Sequence, residues 1–180
     1  MFKIVTAPND ILLSPTQPVE KIDDNIKNIV FNMEKVLIAQ DDPPGVGIAA
    51  NQVGLDLSIF IVKSTMRSKI KVFINPKIIS RTDLFKTKTK KVRPYKKRIK
   101  LEGCLSIPRI WGPVKRSDRV FLNYQDITGK KYLKWFDGFE AVIIQHEVDH
   151  LNGVVFTQRS IEQKKQLYKE ENDELVKIEY

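Results

Sequence analysis

The spacing of apolar residues along the chain predicts three helices. Residues 26–37 carry apolar side chains three or four positions apart, which gives one apolar helical face, and an aspartate at 23 or 24 can cap it. Residues 139–151 contain no Gly or Pro and fit a mostly buried helix that stops at Asn152-Gly153. Ser160 begins an S-x-x-Q capping box, so a C-terminal helix is expected to start there.

Other apolar runs have the length and alternation of strands. Residues 57–62 and 70–74 are typical of buried strands, and Asn75-Pro76 should end the second one. Residues 120–124 and 132–136 are separated by a turn and should pair as a hairpin. Strands that precede a central helix indicate an α+β fold, and a length of 180 residues fits a single domain over 1–180.

The positive charge of the chain is concentrated in one segment. The net charge is +9, from 31 basic and 22 acidic residues, and Lys86–Lys100 holds nine basic residues and no acidic one. Without these nine, basic and acidic residues balance at 22 each. The sequence therefore predicts a neutral body with a basic insertion at about 84–100, which differs from a generally basic nucleic-acid-binding domain.

The sequence disfavours both a membrane-spanning helix and an intrachain disulfide. No apolar stretch approaches the about 18 residues of a membrane helix, and the N-terminus lacks the apolar segment of a secretory signal. A soluble protein that stays where it is made is expected. The single cysteine, Cys104, excludes an intrachain disulfide, and it can be a buried apolar residue, a nucleophile or a metal ligand.

The two histidines of the chain lie four residues apart, in His146-Glu147-Val148-Asp149-His150. On a helix this spacing places both imidazoles on one face, where they can bind one metal ion. The intervening Glu147 can then act on metal-bound water, as in the HExxH motif. The alternative is two histidines that only form hydrogen bonds on a helix surface.

A catalytic metal needs a third protein ligand and an open position. No third histidine exists, so Glu162 downstream and Cys104 upstream both remain possible from the residues alone. Cys104 would supply a soft thiolate, and Gly103 beside it would allow a close backbone approach. A structural site would use four protein ligands, and only three strong candidates are present.

Three motifs resemble those of the peptide deformylase family, in the family's order. They are GVGIAANQ at 45–52, EGCLS at 102–106 and QHEVDHL at 145–151. The resemblance implies that Cys104, His146 and His150 bind a divalent metal, which is commonly Fe²⁺ in the family, with Zn²⁺, Ni²⁺ or Co²⁺ as substitutes. It implies hydrolysis of the formyl group from N-terminal formyl-methionine, with Glu147 carrying the proton. The side chain of Gln52 and the backbone N–H of Leu105 would stabilise the oxyanion.

The resemblance also implies how substrate is bound. Gly45 and Gly47 would let an extended peptide pair with this loop as an added strand. A methionine pocket is implied at five positions: Val46, Phe139, Val142, Ile143 and His146. Glu102 would pair with Arg116 in support of the ligands. The implied fold has antiparallel strands around the central HExxH-bearing helix, and the predicted C-terminal helix favours the common bacterial group over the group with a C-terminal strand.

Two other functions remain open from the sequence. One is an HExxH peptidase with a different third ligand, and the other is a ribosome- or RNA-binding protein with a structural metal. Lys86–Lys100 could dock the enzyme on ribosomal RNA near emerging chains, or it could be a solvated surface segment without a partner. The bacterial cytoplasm is the expected location, and an organelle after removal of a leader is also compatible.

Overall fold

The computed structural model describes residues 2–42, 44–65, 67–83 and 101–179. The basic segment Lys86–Lys100 lies outside the described residues, so the insertion stays a prediction. The described residues contain three α-helices: α1 (Asp24–Ile38), α2 (Gly138–Leu151) and α3 (Phe156–Glu162). They also contain nine strands: β1 (Gly47–Ala49), β2 (Ile59–Val62), β3 (Lys71–Thr82), β4 (Leu101–Cys104), β5 (Ile107–Pro113), β6 (Arg119–Gln125), β7 (Lys131–Asp137), β8 (Tyr168–Glu171) and β9 (Glu174–Lys177).

The strands form two antiparallel sheets, which confirms the α+β class. The larger sheet has the order β1-β2-β3-β6-β7, and the smaller one has the order β4-β5-β8-β9. The predicted hairpin is present, because β6 and β7 pair from Arg119 with Asp137 to Gln125 with Lys131. The strand β1 is an edge strand of the larger sheet, and this position matters for the site described below.

Both faces of the larger sheet are packed, but over different strands. On one face α2 covers a core that includes Phe60 and Phe73, whose stacked ring centroids are 4.6 Å apart. On the other face α1 contributes Val30 and Met33 to a cluster with strand residues of β1, β2 and the first half of β3. This second cluster includes no residue of β6 or β7. Apolar burial therefore fixes α2 against the sheet, and within the described ranges neither α1 nor α2 covers the opposite face over β6 and β7.

Helix ends follow the predicted local signals. The Asp23 carboxylate accepts a hydrogen bond from the Ile26 N–H at 3.0 Å, which caps α1. The helix α2 ends at Asn152, and Gly153 then has φ 70°, a backbone conformation that favours glycine. These ends place the two histidines within the last turns of α2.

The prediction that Asn75-Pro76 ends a strand is wrong. The strand β3 continues to Thr82, with a register shift between Ile74 and Lys77. Asn75 has φ 49°, and its side chain bonds to both backbone polar groups of Val19 at 2.8 Å. A bulge absorbs the proline, which has no N–H to donate to the sheet.

The predicted C-terminal helix starting at Ser160 is also wrong. Ser160 lies inside the short helix α3, and its hydroxyl donates to the Pro113 carbonyl at 3.1 Å. The side chain of Gln163 accepts from the Lys115 N–H at 2.7 Å, so both capping-box side chains have other partners. After α3 the chain forms the hairpin β8-β9, which removes the basis for choosing the group with a C-terminal helix.

Candidate metal centre

One group of side chains can hold a metal ion among the residues that the structure describes. The ligand atoms of Cys104, His146 and His150 all lie within 4.8 Å of one another. The two histidines lie on one face of α2, and Cys104 is the last residue of β4 in the smaller sheet. The Cys104 Sγ and the His150 Nε2 are 3.1 Å apart, and both residues are buried. One thiolate and two imidazoles form a donor set that suits a first-row transition metal.

His146 is oriented by an ion pair behind it. Its Nδ1 lies 3.1 Å from a carboxylate oxygen of Glu102, which leaves Nε2 for a metal. The guanidinium of Arg116 binds both oxygens of Glu102, at 2.9 and 3.0 Å. The side chains of Arg116 and Glu102 are only 8% and 11% exposed, so water does little to weaken this pair.

The ion pair extends into a network that the sequence reasoning missed. Arg116 also binds Asp149 at 2.5 Å, and Asp149 accepts from Arg159 at 2.9 Å. The network joins β4, the segment before β6, α2 and α3. Asp149 follows His146 by three residues, and this spacing places the two side chains on neighbouring positions of one helical face. The spacing could therefore have predicted that Asp149 belongs to the network.

Charges within the site favour a thiolate. Burial is the largest influence on Cys104 and would raise the pKa of its thiol. The neighbouring His150 and His146 together outweigh burial and hold that pKa well below its ordinary value. The pKa of His146 is raised well above its usual range because hydrogen bonds to Cys104 and Glu102 outweigh the opposing effect of burial. A thiolate is the form of cysteine that binds metals.

Glu147 follows His146 directly in α2 and is 3% exposed. Burial raises the pKa of its carboxyl to about 7, against the opposing charges of His146 and His150. Its Oε2 is buried and has no hydrogen-bond partner within the described part of the chain. A buried carboxylate oxygen without a partner is unusual, and a water molecule bound at the centre would give it one.

Gly47 in β1 makes room for the Glu147 carboxylate. A Cβ atom at position 47 would lie 2.5 Å from Glu147 Oε1 and 2.8 Å from a methyl group of Ile143. Both separations are too short for real contacts, so the strand can approach α2 this closely only without a side chain. The edge strand β1 therefore passes directly beside the predicted proton carrier.

Gln52 is held in a fixed orientation beside the sulfur. Its Oε1 accepts from the Ala49 N–H at 2.8 Å, so its Nε2 points away from β1. That Nε2 lies 3.5 Å from Cys104 Sγ and 3.2 Å from Ser106 Oγ. Leu105 lies in the turn between β4 and β5, and its side chain packs against the α1 cluster. Two predicted oxyanion donors are thus placed next to the metal ligand.

The predicted substrate-binding residues border the same centre. Phe139, Val142, Ile143 and His146 are spaced three or four residues apart and share one face of α2. Phe139 is 53% exposed and Ile143 is buried, so this face runs from solvent into the core. Val46 packs against the core beneath α2, and a pocket of about 210 Å³ opens beside Gly45 and Val46. A larger cavity of about 560 Å³ lies near the C-terminal hairpin and contains no predicted site residue.

Strand β4 is covered by the ring of Trp111 from the neighbouring strand β5. A Cβ at Gly103 would lie 2.7 Å from the ring of Trp111, so that ring covers the backbone next to Cys104. The Trp111 indole N–H donates to Glu170 of β8 at 2.8 Å. Glu162, the other possible third ligand, is exposed, bonds to Arg159 at 3.1 Å and is not part of the cluster.

Comparison with known proteins agrees with this geometry. Residues 1–166 match the sequence model of the polypeptide deformylase family. The chain is 41% identical over 155 residues to a peptide deformylase of Borreliella burgdorferi, which covers 86% of this chain and 85% of that protein. It is 31% identical over 173 residues to a peptide deformylase of Desulfotalea psychrophila, and the match covers 94% of this chain and 93% of that protein.

Solved structures lead to the same family. A peptide deformylase of Plasmodium falciparum superposes with a TM-score of 0.74 at 34% identity and covers 90% of this chain and 89% of its own. The peptide deformylase of Synechococcus elongatus, solved in complex with actinonin, superposes with a TM-score of 0.73 at 31% identity. The match covers 88% of this chain and 78% of that one. In the described ranges, no helix is both long and apolar enough to cross a bilayer. The chain belongs to the peptide deformylase family, whose members are hydrolases that remove the N-formyl group from nascent polypeptides.

Proposed function

We propose that this chain releases formate from N-terminal formyl-methionine at a centre where Cys104, His146 and His150 hold one divalent metal ion. The observation that carries the proposal is the position of Glu147. Its buried carboxylate lies beside the edge strand β1 and close enough to His146 and His150 for their charges to lower its pKa. A structural site would need a fourth protein ligand, and the cluster has three.

Fe²⁺ is the metal we propose, and the reason is the family resemblance together with the donor set. Fe²⁺, Zn²⁺, Ni²⁺ and Co²⁺ can all be bound by one thiolate and two imidazoles. A divalent ion held here would lower the pKa of a water molecule, so that hydroxide is available near neutral pH.

Glu147 accepts a proton from the attacking water and later delivers it to the leaving amine. A pKa of about 7 suits both steps, since the group can then take up and release a proton at neutral pH. The water oxygen forms a bond to the formyl carbon, and the bond from that carbon to nitrogen breaks. The products are formate and a polypeptide with a free N-terminal amine.

Gln52 and Leu105 stabilise the negative charge that develops on the formyl oxygen. The hydrogen bond from the Ala49 N–H fixes the Gln52 amide, so its Nε2 does not reorient during the reaction. Preorganised donors are effective because no reorganisation is needed as the charge appears. The backbone N–H of Leu105 is the second donor in this proposal.

The peptide binds as a strand beside β1, and its methionine side chain enters the apolar face of α2. The sheet places β2 on one side of β1 and no described strand on the other, so main-chain pairing is available there. Gly45, Val46 and Gly47 supply this edge. Val142 and Ile143 with Phe139 supply apolar contacts for an unbranched thioether side chain.

We also propose a location and a partner for this activity. Bacterial relatives of similar length support the bacterial cytoplasm. Lys86–Lys100 carries the whole charge excess of the chain, and it would face the anionic RNA surface of the ribosome as formylated chains emerge.

A formate-release assay on formyl-Met-Ala-Ser, after anaerobic purification and metal analysis, tests the proposal. Cys104→Ala should lose both metal and activity, whereas Glu147→Ala should keep the metal and lose most turnover. Glu162→Ala is the matched control, since this exposed carboxylate lies outside the cluster and should leave both unchanged. Full activity in Glu147→Ala would refute the mechanism, and cleavage of internal peptide bonds would favour an HExxH peptidase instead.

A further inference from the structure

Part of the larger sheet has an apolar surface that none of the described helices covers. In β6 the residues Val120, Leu122 and Tyr124 are buried against α2, so the alternate residues Arg119 and Phe121 lie on the opposite face. Their partners in β7 are Asp137 and Trp135, and Leu133 follows on the same side. We call this surface the exposed sheet face: Lys77, Arg119, Phe121, Lys131, Leu133 and Trp135.

Aromatic rings on the exposed sheet face are already arranged as a stack. The Phe121 and Trp135 rings are 5.0 Å apart and 28° from parallel. The guanidinium of Arg119 lies 5.0 Å from the centre of the Trp135 ring. Trp135 contacts both other members of the stack and is 38% exposed, and Leu133 is 58% exposed, so the stack is accessible from solvent. A planar cation and two rings in sequence can be continued by another flat π system.

Cations surround this stack. Lys77 pairs with Asn123 of β6, and Lys131 pairs with Gln125, which places both lysines on the same side as Phe121. Both lysines are exposed. Asp137, which pairs with Arg119, is the acidic residue that these strands place on this face. Basic charge and stacked aromatic rings therefore coincide.

We propose that the exposed sheet face binds single-stranded RNA, with an unpaired base continuing the stack of Phe121, Trp135 and Arg119 and with phosphates near Lys77 and Lys131. Base stacking on aromatic rings and arginine planes beside cationic side chains is how sheet surfaces bind single strands, because every base has a flat face. A duplex keeps its bases stacked internally, so it cannot offer one to this stack.

The charge of the exposed sheet face supports RNA over a second copy of this chain. The face carries Lys77, Lys131 and Arg119 against one carboxylate, that of Asp137. Two copies meeting through this face would bring like charges together, and these would repel. The inference rests on the RNA-docking part of the proposed function, but its site consists of described residues only.

Fluorescence anisotropy with a labelled 12-nucleotide single-stranded RNA at low salt tests this inference. Trp135→Ala should weaken binding about 5-fold to 100-fold, the range measured for losing one stacked base. Trp135→Leu keeps apolar bulk, so it guards against loss of folding, and it should weaken binding to a similar extent. A double Lys77→Ser, Lys131→Ser variant should reduce the slope of log K against log salt by about 1.4, since each phosphate contact on a single strand contributes about 0.7.

Phe31→Ala is the matched control. Phe31 is 54% exposed and has the Lys35 ammonium 4.2 Å from its ring, but it belongs to α1 and not to the exposed sheet face. It should leave RNA binding unchanged. Equal loss in Phe31→Ala, undiminished binding in Trp135→Leu or tighter binding of a duplex would overturn the inference. So would a wild-type dimer in sedimentation that Trp135→Ala converts to a monomer.

Formate release from formyl-Met-Ala-Ser separates this inference from the enzymatic proposal. All these variants should release formate at the wild-type rate, since the free tripeptide needs no RNA. An active wild-type enzyme that binds no single-stranded RNA would reject the exposed sheet face alone, whereas an inactive one would reject the enzymatic proposal.

Discussion

Replacing Gly47 by alanine should reduce turnover while leaving the metal in place. The added Cβ would lie 2.5 Å from Glu147 Oε1, and Gly47 has no positive φ that would strain alanine. Restoring an ordinary separation of 3.4 Å needs about 0.9 Å of movement, and misplacement by about 1 Å can cost about 10²-fold in rate. We therefore expect kcat to fall about 10²-fold in Gly47→Ala.

Steady-state formate release with metal analysis measures this effect. The metal content should stay at the wild-type level, because none of the three ligand residues is among the nearest atoms to the new methyl group. A double-mutant cycle with Glu147→Ala gives the sharpest comparison. Removing the carboxylate removes the closest contact and leaves the 2.8 Å contact with the Ile143 methyl group, so Gly47→Ala should lower kcat less in that background than in the wild type.

Two results would refute this reasoning. Wild-type kcat in Gly47→Ala would show that the carboxylate can move without consequence, so its position would not limit the rate. Additive losses in the double variant would show that Gly47 acts through substrate pairing rather than through Glu147. A rise confined to KM would lead to the same conclusion.

Three further predictions concern the oxyanion, the metal and the basic segment. Gln52→Leu should lower kcat by about 10²-fold with the metal still bound, as for other single oxyanion donors, and an effect on KM alone would assign Gln52 to ground-state binding. If Fe²⁺ is native, exposure to air should inactivate the enzyme through metal and thiolate oxidation, and nickel exchange should protect it; full, air-stable activity of a zinc-loaded preparation would contradict iron. A variant with serine in place of Lys90, Lys91, Lys96 and Lys97 should sediment less with ribosomes at low salt, and its binding should depend less on salt. Its kcat/KM on the free tripeptide should be unchanged. Unchanged sedimentation of that variant would reject docking through this segment.

The histidine pair was predictable from the residues because its geometry is local. Positions i and i+4 share a face in any helix, and no other part of the chain alters that relation. The third ligand was not predictable in this way. Cys104 and His150 are separated by 46 positions and come from a strand and a helix, so only the motif resemblance favoured Cys104 over Glu162.

The two errors in the fold share one cause. Ser160 and Asn75 have side chains that commonly end or begin elements by bonding to nearby backbone. In the folded chain both bond to distant segments instead, Ser160 to Pro113 and Asn75 to Val19. A local signal predicts an element boundary only when the side chain has no better partner elsewhere, and sequence alone does not show those partners.

The contact of Trp111 with β8 bears on the order in which the molecule is completed. Trp111 and Glu170 are 59 positions apart, and a chain is synthesised from its N-terminus. The segments that carry Cys104 and the two histidines thus leave the ribosome before β8, the strand that fixes Trp111 over Gly103. Closing so long a loop is entropically costly and slow compared with forming a helix or a hairpin. The backbone beside Cys104 therefore acquires its final support only after β8 has been synthesised.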